Sequence, residues 1–364
     1  MHPELNRNQR EVDVQEAYGR AVDAILERDV DLVIHSGDVF DSVRPATHVI
    51  IGFLKQTFRI TREHIPYLVA AGNHETPRLR TTTAALEYAN LVNARSAHGF
   101  ELDFEMVEVG DVGVGVTLVP HGAIERAGAV TPERGADINV MVTHGMVPGL
   151  EAKSHEMGEA NLHSGMLEGA FDYIALGHYH DFHRHKQNAY YAGATERFGF
   201  GEVDSKPGFA IVEIGDGKLS VEHVEIEARE MIDLPKISAR EMEAAQLTEA
   251  VRERTSGVDL DGAIVRLRAY DVRRGVASGI ERELLRDLQR RCLNFSLEIH
   301  AEERPDNASS DGPVTAVFGP LGEELAAFVK ARRERGELEE KFAEEFLEKG
   351  RGYLARAASG ETPE

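Results

Sequence analysis

The feature that most constrains the fold of this 364-residue chain is a succession of short apolar segments, each followed by a polar turn. Such patterns, separated by amphipathic stretches typical of helices, predict an α/β fold with buried strands. Open α/β sheets place their functional loops at the carboxyl ends of the strands, so the turns are candidates for one shared site. The four segments are 32–34, before Gly37 and Asp38; 67–70, before Gly72, Asn73, His74 and Glu75; 138–142, before His144; and 173–176, before Gly177, His178 and His180.

The residue types at these strand ends match the ligands that proteins offer to divalent metal ions. Carboxylate, amide oxygen and imidazole together suit manganese, iron or zinc, and a carboxylate that bridges two ions can clamp a phosphate ester for hydrolysis. Taken singly, Asp38 and Asn73 are also common turn residues, and His144 alone is more often a hydrogen-bonded structural histidine. His178 and His180 have the spacing that turns both side chains to one face of a strand. The conjunction of all four strand ends favours a two-metal phosphoesterase.

The composition restricts the classes of function that are compatible with the chain. With a formal net charge of -22, it lacks the excess of lysine and arginine through which proteins attract nucleic acid electrostatically. One cysteine, Cys292, excludes an internal disulfide framework and fits a reducing compartment. The sequence contains no apolar run long enough to span a membrane. We therefore expect a cytoplasmic protein.

The pattern changes after about residue 187, and the rest of the chain is predicted to form smaller units. Residues 228–301 alternate between strand and helix patterns, which indicates a small α+β unit without a metal-ligand cluster. Before this unit, three short segments have patterns typical of antiparallel strands joined by tight turns. They lie at 190–191, 208–212 and 219–221.

A polar linker at 302–320 is predicted to separate a C-terminal helical region, 321–364, from the rest of the chain. In its second helix an apolar stripe is formed by Leu338, Phe342 and Phe346, which recur every four residues. Such a stripe can pack on its own domain or dock into the groove of a partner protein. The linker that precedes it favours docking.

Longer motifs resemble those of the calcineurin-like metallophosphoesterases and, more closely, their DNA-repair branch, the SbcD/Mre family. The motifs are Gly-Asp-Val-Phe-Asp-Ser-Val-Arg-Pro at 37–45, Gly-Asn-His-Glu at 72–75, Gly-His-Tyr-His at 177–180 and Tyr-Ala-Gly-Ala-Thr-Glu-Arg-Phe at 191–198. The resemblance implies an α/β (α+β) fold: a four-layer β-sandwich flanked by helices in a nuclease domain at 1–227, followed by a DNA-contacting capping domain at 228–301 and C-terminal helices. It also implies a nuclease that acts exonucleolytically on duplex ends and endonucleolytically on single strands.

The same resemblance implies two divalent ions, most simply Mn²⁺, bridged by Asp38. One ion would be completed by Asn73, His144 and His178, and the other would bind His180.

His74 would lie beside the scissile phosphate, where it stabilises developing charge or protonates the leaving oxygen. Glu75 is a candidate to orient His74, and a position at the start of a surface helix is the alternative for this residue.

One part of the family pattern is absent from this sequence. The family begins with a strand that ends in Asp-x-His and supplies two ligands to the ion bound by His180. Here His2 is followed by Pro3, and no apolar strand precedes it. Two explanations stay open: the sequence starts at an internal methionine, or the protein lacks one metal site and has weak or no activity. Without that strand, we expect the sheet to expose apolar surface and to lose stability.

The resemblance finally implies partners. The C-terminal helices are similar to the element that binds an SbcC/Rad-type ATPase, and the helices predicted around 46–58 and 81–92 are candidates for a homodimer interface. A basic ATPase subunit would supply the affinity for DNA ends that this acidic chain lacks. The expected location is the cytoplasm, in association with the nucleoid. Two alternatives are a non-catalytic subunit that tethers DNA ends and a small-substrate phosphodiesterase, which would leave the C-terminal third without a role.

Overall fold

The computed structural model describes residues 7–79, 81–150 and 160–301, together with 325–326, 329–330, 332–333 and 340–359 near the C-terminus. The chain divides into two compact units, Met1–Glu302 and Glu303–Glu364. The α-helices are α1 (Gln9–Leu26), α2 (Thr47–Thr61), α3 (Ile124–Ala127), α4 (Ala244–Thr255), α5 (Arg282–Arg291) and α6 (Glu340–Ser359). Short 3₁₀ helices lie at Ala85–Val92, His121–Ala123, Ser164–Met166, Phe200–Glu202 and Ala277–Gly279. The strands are β1 (Val33–His35), β2 (Tyr67–Ala70), β3 (Arg95–Ala97), β4 (Asp103–Val109), β5 (Val112–Val119), β6 (Ile138–His144), β7 (Tyr173–Gly177), β8 (His183–Arg184), β9 (Ala189–Tyr191), β10 (Gly208–Gly215), β11 (Lys218–Glu225), β12 (Met231–Asp233), β13 (Ile237–Ser238), β14 (Ile264–Val272) and β15 (Asn294–Ala301).

Two β-sheets pack face to face in the first unit. A parallel three-stranded sheet has the order β1-β2-β3, and a six-stranded sheet has the order β4-β5-β6-β7-β9-β8. Their inner faces share one core, which includes Leu68 of β2, Leu118 of β5 and Val142 of β6. β1 runs parallel to β2, and β6 runs parallel to β7. The carboxyl ends of β1 and β2 therefore lie side by side, and so do those of β6 and β7, as the strand-end motifs predict.

Helices and turns cover the outer faces of these two sheets. Asn8 is the N-cap of α1, and its side chain accepts a hydrogen bond from the Arg10 backbone N–H. The apolar faces of α1 and α2 bury Val22 and Phe53 against Tyr67 of β2. On the far side of the six-stranded sheet, α3 and the following turns pack apolar side chains onto β6, β7 and β9. This layered α/β architecture confirms the predicted fold class.

β10 and β11 form an antiparallel hairpin as a separate two-stranded sheet. Its tip contains Asp216 and Gly217, which have positive φ angles of 51° and 69°. Two successive residues with positive φ are typical of the primed turns whose twist matches that of a hairpin. Partly buried Val212 and Val221 of the hairpin pack against the core between the two larger sheets.

Residues 228–301 form a four-stranded sheet with β14 at its centre, flanked by β12, β13 and β15. α4 and α5 cover one face of this sheet and enclose a separate hydrophobic core that contains Leu247, Val265 and Leu288. The region belongs to the same compact unit, Met1–Glu302, as the sheets before it. A core of its own is compatible with the predicted α+β unit, whose boundary at residue 227 stays a prediction.

Two local predictions hold only in part. The segment predicted as a helix over 81–92 contains a 3₁₀ helix over Ala85–Val92, whose buried Leu86 and Ala89 are three residues apart, as the tighter 3₁₀ turn requires. The strand that contains Tyr190 and Tyr191, predicted to be antiparallel, pairs parallel to β7 on one side and antiparallel to β8 on the other. An apolar pattern indicates burial but not the direction of a neighbouring strand.

In the second unit, the described residues between 325 and 333 are helical, and α6 follows them. The predicted linker at 302–320 and Leu338 of the predicted stripe lie outside the described residues. Among the described helices, none has both the length and the apolar character needed to cross a membrane.

Candidate metal centre

The loop after β1 and the loop after β2 are joined by a buried carboxylate. Glu75 is 1% exposed, and its two oxygens accept hydrogen bonds from the backbone N–H groups of Asp38, Phe40 and Gly72 at 2.8–3.0 Å. Donors from two separate loops thus converge on one side chain. The surface-helix alternative for Glu75 is wrong, because the residue is buried in a turn. Its predicted effect on His74 stays a prediction.

His144, at the end of β6, is held so that one ring nitrogen faces the loops of the other sheet. Its Nδ1 lies 2.7 Å from the Ser36 carbonyl oxygen, which can only accept, so Nδ1 donates its proton there. Its Nε2 lies 3.0 Å from Asp38 Oδ2 and 3.0 Å from Asn73 Oδ1. Carboxylate, amide oxygen and imidazole nitrogen therefore converge on the same small volume.

His178 joins this group from the end of β7. Its Nδ1 lies 3.3 Å from Asn73 Oδ1, and one ligand atom each from Asp38, His144 and His178 falls within 4.8 Å of the others. The structure therefore brings together Asp38, Asn73, His144 and His178, as the strand-end pattern predicts.

Unusual backbone angles accompany this convergence. Asp38 and His178 have positive φ angles of 53° and 99°; few residues other than glycine adopt positive φ, and Asp and His are among those that do so most often. Such outliers persist where the surrounding structure holds them, and they concentrate at functional sites. Gly177 permits the approach of the two sheets, because a Cβ there would lie 1.7 Å from the Ser36 carbonyl oxygen. A side chain at this position would push β7 away from the loop that carries Asp38.

His74 and His180 lie around this group. The His74 backbone N–H donates to Asp38 Oδ1 at 3.2 Å, and its ring Nδ1 donates to the Asp41 carbonyl oxygen at 3.0 Å. His180 Nδ1 contacts Glu202 Oε1 at 2.7 Å. Among the described residues, the close metal-ligand group comprises Asp38, His144 and His178, and His180 is not part of it. This position is compatible with a role for His180 at a separate, adjacent ion.

The ionisation of the buried groups reflects their crowding. Burial raises the pKa of Asp38, but neighbouring His144 and His74 outweigh burial and bring it down to about 2. Burial, together with the charge of Asp38, raises the pKa of Glu75 to about 7. Burial likewise lowers the pKa of His35 to about 4, and His35 Nδ1 contacts the Tyr67 hydroxyl at 2.7 Å. His35, which is partly buried beside the site, therefore stays neutral.

The chemistry of the donor set fits a divalent cation. With Nδ1 of His144 donating to Ser36, a neutral His144 presents a lone pair on Nε2 to two further acceptor oxygens, those of Asp38 and Asn73. Three acceptors so close together repel one another unless a positive charge lies among them. A proton on Nε2 supplies this charge in the metal-free protein, and a divalent ion that prefers mixed oxygen and nitrogen ligands supplies it better.

Two contacts beside the site are not predicted by the sequence. Tyr191, within the motif at 191–198, donates from its hydroxyl to the Gly145 carbonyl oxygen at 2.8 Å and accepts the Val147 N–H at 3.0 Å, so it anchors the chain that follows His144. Glu202 contacts His180 across 22 residues of sequence. The sequence offers one indication for Glu202, its position four residues after the motif at 191–198, and this position by itself assigns no role.

The predicted partner-binding residues lie in the second unit. Phe342 and Phe346 of α6 are 55% and 44% exposed, and their rings stack at 6.1 Å between centroids. Their role stays a prediction.

Comparisons with known proteins agree with this geometry. Residues 2–182 match the model of the calcineurin-like phosphoesterase family. The DNA double-strand break repair protein Mre11 of Methanopyrus kandleri is 27% identical over 74% of this chain and 62% of its own length. The Mre11 proteins of Thermoplasma acidophilum and Haloferax volcanii are 27% and 26% identical over 62% and 71% of this chain. The chain spans about three fifths of the length of these curated relatives. The predicted resemblance to the SbcD/Mre branch is confirmed.

Proposed function

Residues 2–182 make this chain a member of the calcineurin-like phosphoesterase family, and on that premise we propose that it is a metal-dependent nuclease of DNA double-strand-break repair. It would hydrolyse phosphodiester bonds as an exonuclease on duplex ends and an endonuclease on single strands. The observation that carries this proposal is the convergence of Asp38, Asn73, His144 and His178 from four strand ends. The names of the Mre11 relatives support DNA as the substrate.

Each side chain has a proposed task at the reacting phosphate. Asp38, Asn73, His144 and His178 would hold one ion, and Asp38 with His180 would hold a second. Bound divalent ions, most simply Mn²⁺, would acidify a water molecule and neutralise charge on the phosphate. His74, whose Nδ1 is occupied by the Asp41 carbonyl oxygen, would turn its other ring nitrogen to the phosphate and stabilise charge or protonate the leaving oxygen.

The outer regions have proposed tasks as well. We assign residues 1–227 to the nuclease domain and 228–301 to contact with DNA. The region 302–320 would be a linker, and 321–364 would bind an SbcC/Rad-type ATPase. The exposed Phe342 and Phe346 support that last assignment, since paired exposed aromatic side chains suit a helix that docks into an apolar groove. Homodimerisation through α2 and the neighbouring 3₁₀ helix, and a place in the cytoplasm beside the nucleoid, complete the proposal.

Metal-dependent turnover is the direct test. The full chain, stripped of metal with EDTA and assayed with its ATPase on end-labelled duplex DNA, should be inactive until Mn²⁺ is added. Asp38→Asn and His144→Ala should lower turnover by about 100-fold or more, because each removes a charge or a ligand from the transition state. His64→Asn is the matched control. His64 is exposed in the turn that follows α2 and has a positive φ angle that asparagine tolerates, so this variant should keep wild-type turnover.

Undiminished turnover in Asp38→Asn would contradict the proposed site. A wild-type chain that binds DNA ends with its ATPase and Mn²⁺ but does not cleave them would instead support the end-tethering alternative.

A further inference from the structure

The segment that follows β9 wraps around the loop that carries His180. The Ala194 N–H donates to the His180 carbonyl oxygen at 2.9 Å, and the Ser205 hydroxyl donates to the neighbouring Asp181 carboxylate. Gly193 permits the close approach, because a Cβ at this residue would lie 3.0 Å from the His180 carbonyl oxygen. Residues 193–205 therefore enclose the His180 loop through backbone and side-chain contacts.

Glu202 lies within this segment, on the 3₁₀ turn Phe200–Glu202, and is 6% exposed. Its Oε1 lies 2.7 Å from His180 Nδ1, while its Oε2 accepts the Phe198 N–H at 2.7 Å. The carboxylate is thus held at both oxygens and cannot swing away from the imidazole without losing a buried hydrogen bond. An ionised carboxylate only accepts, so the proton of the neutral His180 ring resides on Nδ1.

The face of the His180 ring is also restrained. The Phe198 ring lies 5.3 Å from it between centroids, at an angle of 56°. The hydrogen bond to Glu202 holds the Nδ1 edge of the imidazole, and the Phe198 ring limits the rotation of the imidazole plane. Together they orient Nε2, the ring nitrogen opposite Nδ1.

We propose that Glu202 is a positioning residue, which locks His180 as the Nδ1–H tautomer and presents its Nε2 to a divalent cation. Histidines that bind metals in proteins generally donate their second ring N–H to a carboxylate or carbonyl, which fixes the tautomer and raises the basicity of the ligand. His144 follows the same rule here through the Ser36 carbonyl oxygen. The inference rests on the proposed role of His180 as a ligand and adds the group that orients it.

The tautomer can be measured without any metal. Long-range ¹H–¹⁵N spectra of the metal-free full chain, with His180→Ala to assign the signal, should show His180 with its proton on Nδ1. Glu202→Ala should shift the ring towards the Nε2–H form, and Glu202→Gln, which keeps an acceptor oxygen, should restore most of the wild-type signal. Glu213→Ala, an exposed glutamate on β10, is the control and should change nothing. A wild-type ring with the proton on Nε2, or a tautomer that Glu202→Ala leaves unchanged, would overturn the inference.

Calorimetric titration with Mn²⁺ gives a second readout. His180→Ala identifies the binding step that depends on His180, and Glu202→Ala should weaken that step by about 10–100-fold. The step that depends on His144 should keep its affinity. Equal Mn²⁺ affinity in wild type and Glu202→Ala would overturn the positioning role while leaving the proposed function intact. A wild-type chain that binds no Mn²⁺ would overturn the proposed function, and the tautomer spectra would still decide whether Glu202 orients His180.

Discussion

Asp13 shows how one buried carboxylate ties distant parts of the chain together. It lies on α1, is 2% exposed, and accepts hydrogen bonds from Gln9, Arg10 and Arg229 at 3.0–3.1 Å. Arg229 is near the start of the 228–301 region. Burial raises the pKa of Asp13, but the hydrogen bonds from Arg229 and Gln9 outweigh burial, and its pKa lies below the usual value.

The stability that Asp13 contributes should depend on pH. Because its folded-state pKa is lowered, the contribution is present above the usual carboxylate value of about 4 and is lost as pH falls through the lower folded-state pKa. At pH 7, Asp13→Asn should reduce the free energy of unfolding by about 2–4 kcal/mol, since it leaves Arg229 without its charged partner.

Urea unfolding of both proteins between pH 7 and pH 2 checks this prediction. The difference between Asp13→Asn and wild type should shrink below about pH 4, as the wild-type carboxyl takes up a proton. Glu222→Gln, on the exposed face of β11, controls for the general effect of losing a carboxylate. A difference that stays constant down to pH 2 would contradict the role assigned to Asp13.

At the scale of a single element, α6 presents two different faces. Ala343 is buried and Gly350 packs close to Leu325, so one side of the helix contacts its own unit. Phe342 and Phe346 lie one turn apart and stay about half exposed. Exposed aromatic side chains of this kind are typical anchors of interfaces, where a few residues carry most of the binding energy.

If α6 binds an SbcC/Rad-type ATPase as proposed, Phe342→Ala with Phe346→Ala should weaken that binding. Removing two aromatic anchors should raise the Kd by at least about 30-fold, as measured by calorimetry with the purified ATPase. The paired control, Glu344→Ala with Glu348→Ala, alters two exposed residues elsewhere on the same helix. Equal loss of affinity in both double variants would exclude the aromatic pair as the docking surface.

At the scale of the whole molecule, an exposed apolar area lies on the outer helical layer. Phe58, Tyr88 and Leu91 are 48%, 49% and 77% exposed. They belong to neighbouring elements, because the Thr61 hydroxyl of α2 donates to the Val92 carbonyl oxygen of the 3₁₀ helix at 2.7 Å. Exposed apolar side chains on neighbouring elements of a chain with a net charge of -22 are a candidate surface for a second copy of the chain.

If the chain forms the proposed homodimer through this area, Leu91→Glu combined with Phe58→Glu should convert that dimer into a monomer in sedimentation velocity experiments. In the dimer each introduced carboxylate would be buried without a partner, which is strongly unfavourable. In the monomer the same carboxylate would stay in contact with water. Val112→Glu changes a 37%-exposed apolar residue on the β4–β5 hairpin and should leave the dimer unchanged. A wild-type chain that sediments as a monomer at micromolar concentration would refute this interface.

Local patterns alone predicted the apolar strands that lead into the site, the class of fold and four residues that meet at the candidate metal centre. Short apolar runs predict strands, and the glycine-containing turns after them carry Asp38, Asn73, His144 or His178. Both signals can be recognised in the sequence because apolar patterning and turn chemistry are local properties of the chain. Local patterns also specified the β10–β11 hairpin, since Asp216 and Gly217 tolerate positive φ angles.

How these strand ends meet, and which groups hold them, depends on long-range contacts. The sequence left two alternatives open for Glu75 and assigned no role to Glu202, and both carboxylates make their contacts with backbone and imidazole groups that other segments bring to them. The parallel pairing of β9 with β7, the positive φ of His178 and the close approach at Gly177 likewise depend on non-local contacts. The difference follows from the range of the interactions: hydrophobic periodicity acts over a few residues, whereas a ligand cluster exists only where distant loops converge.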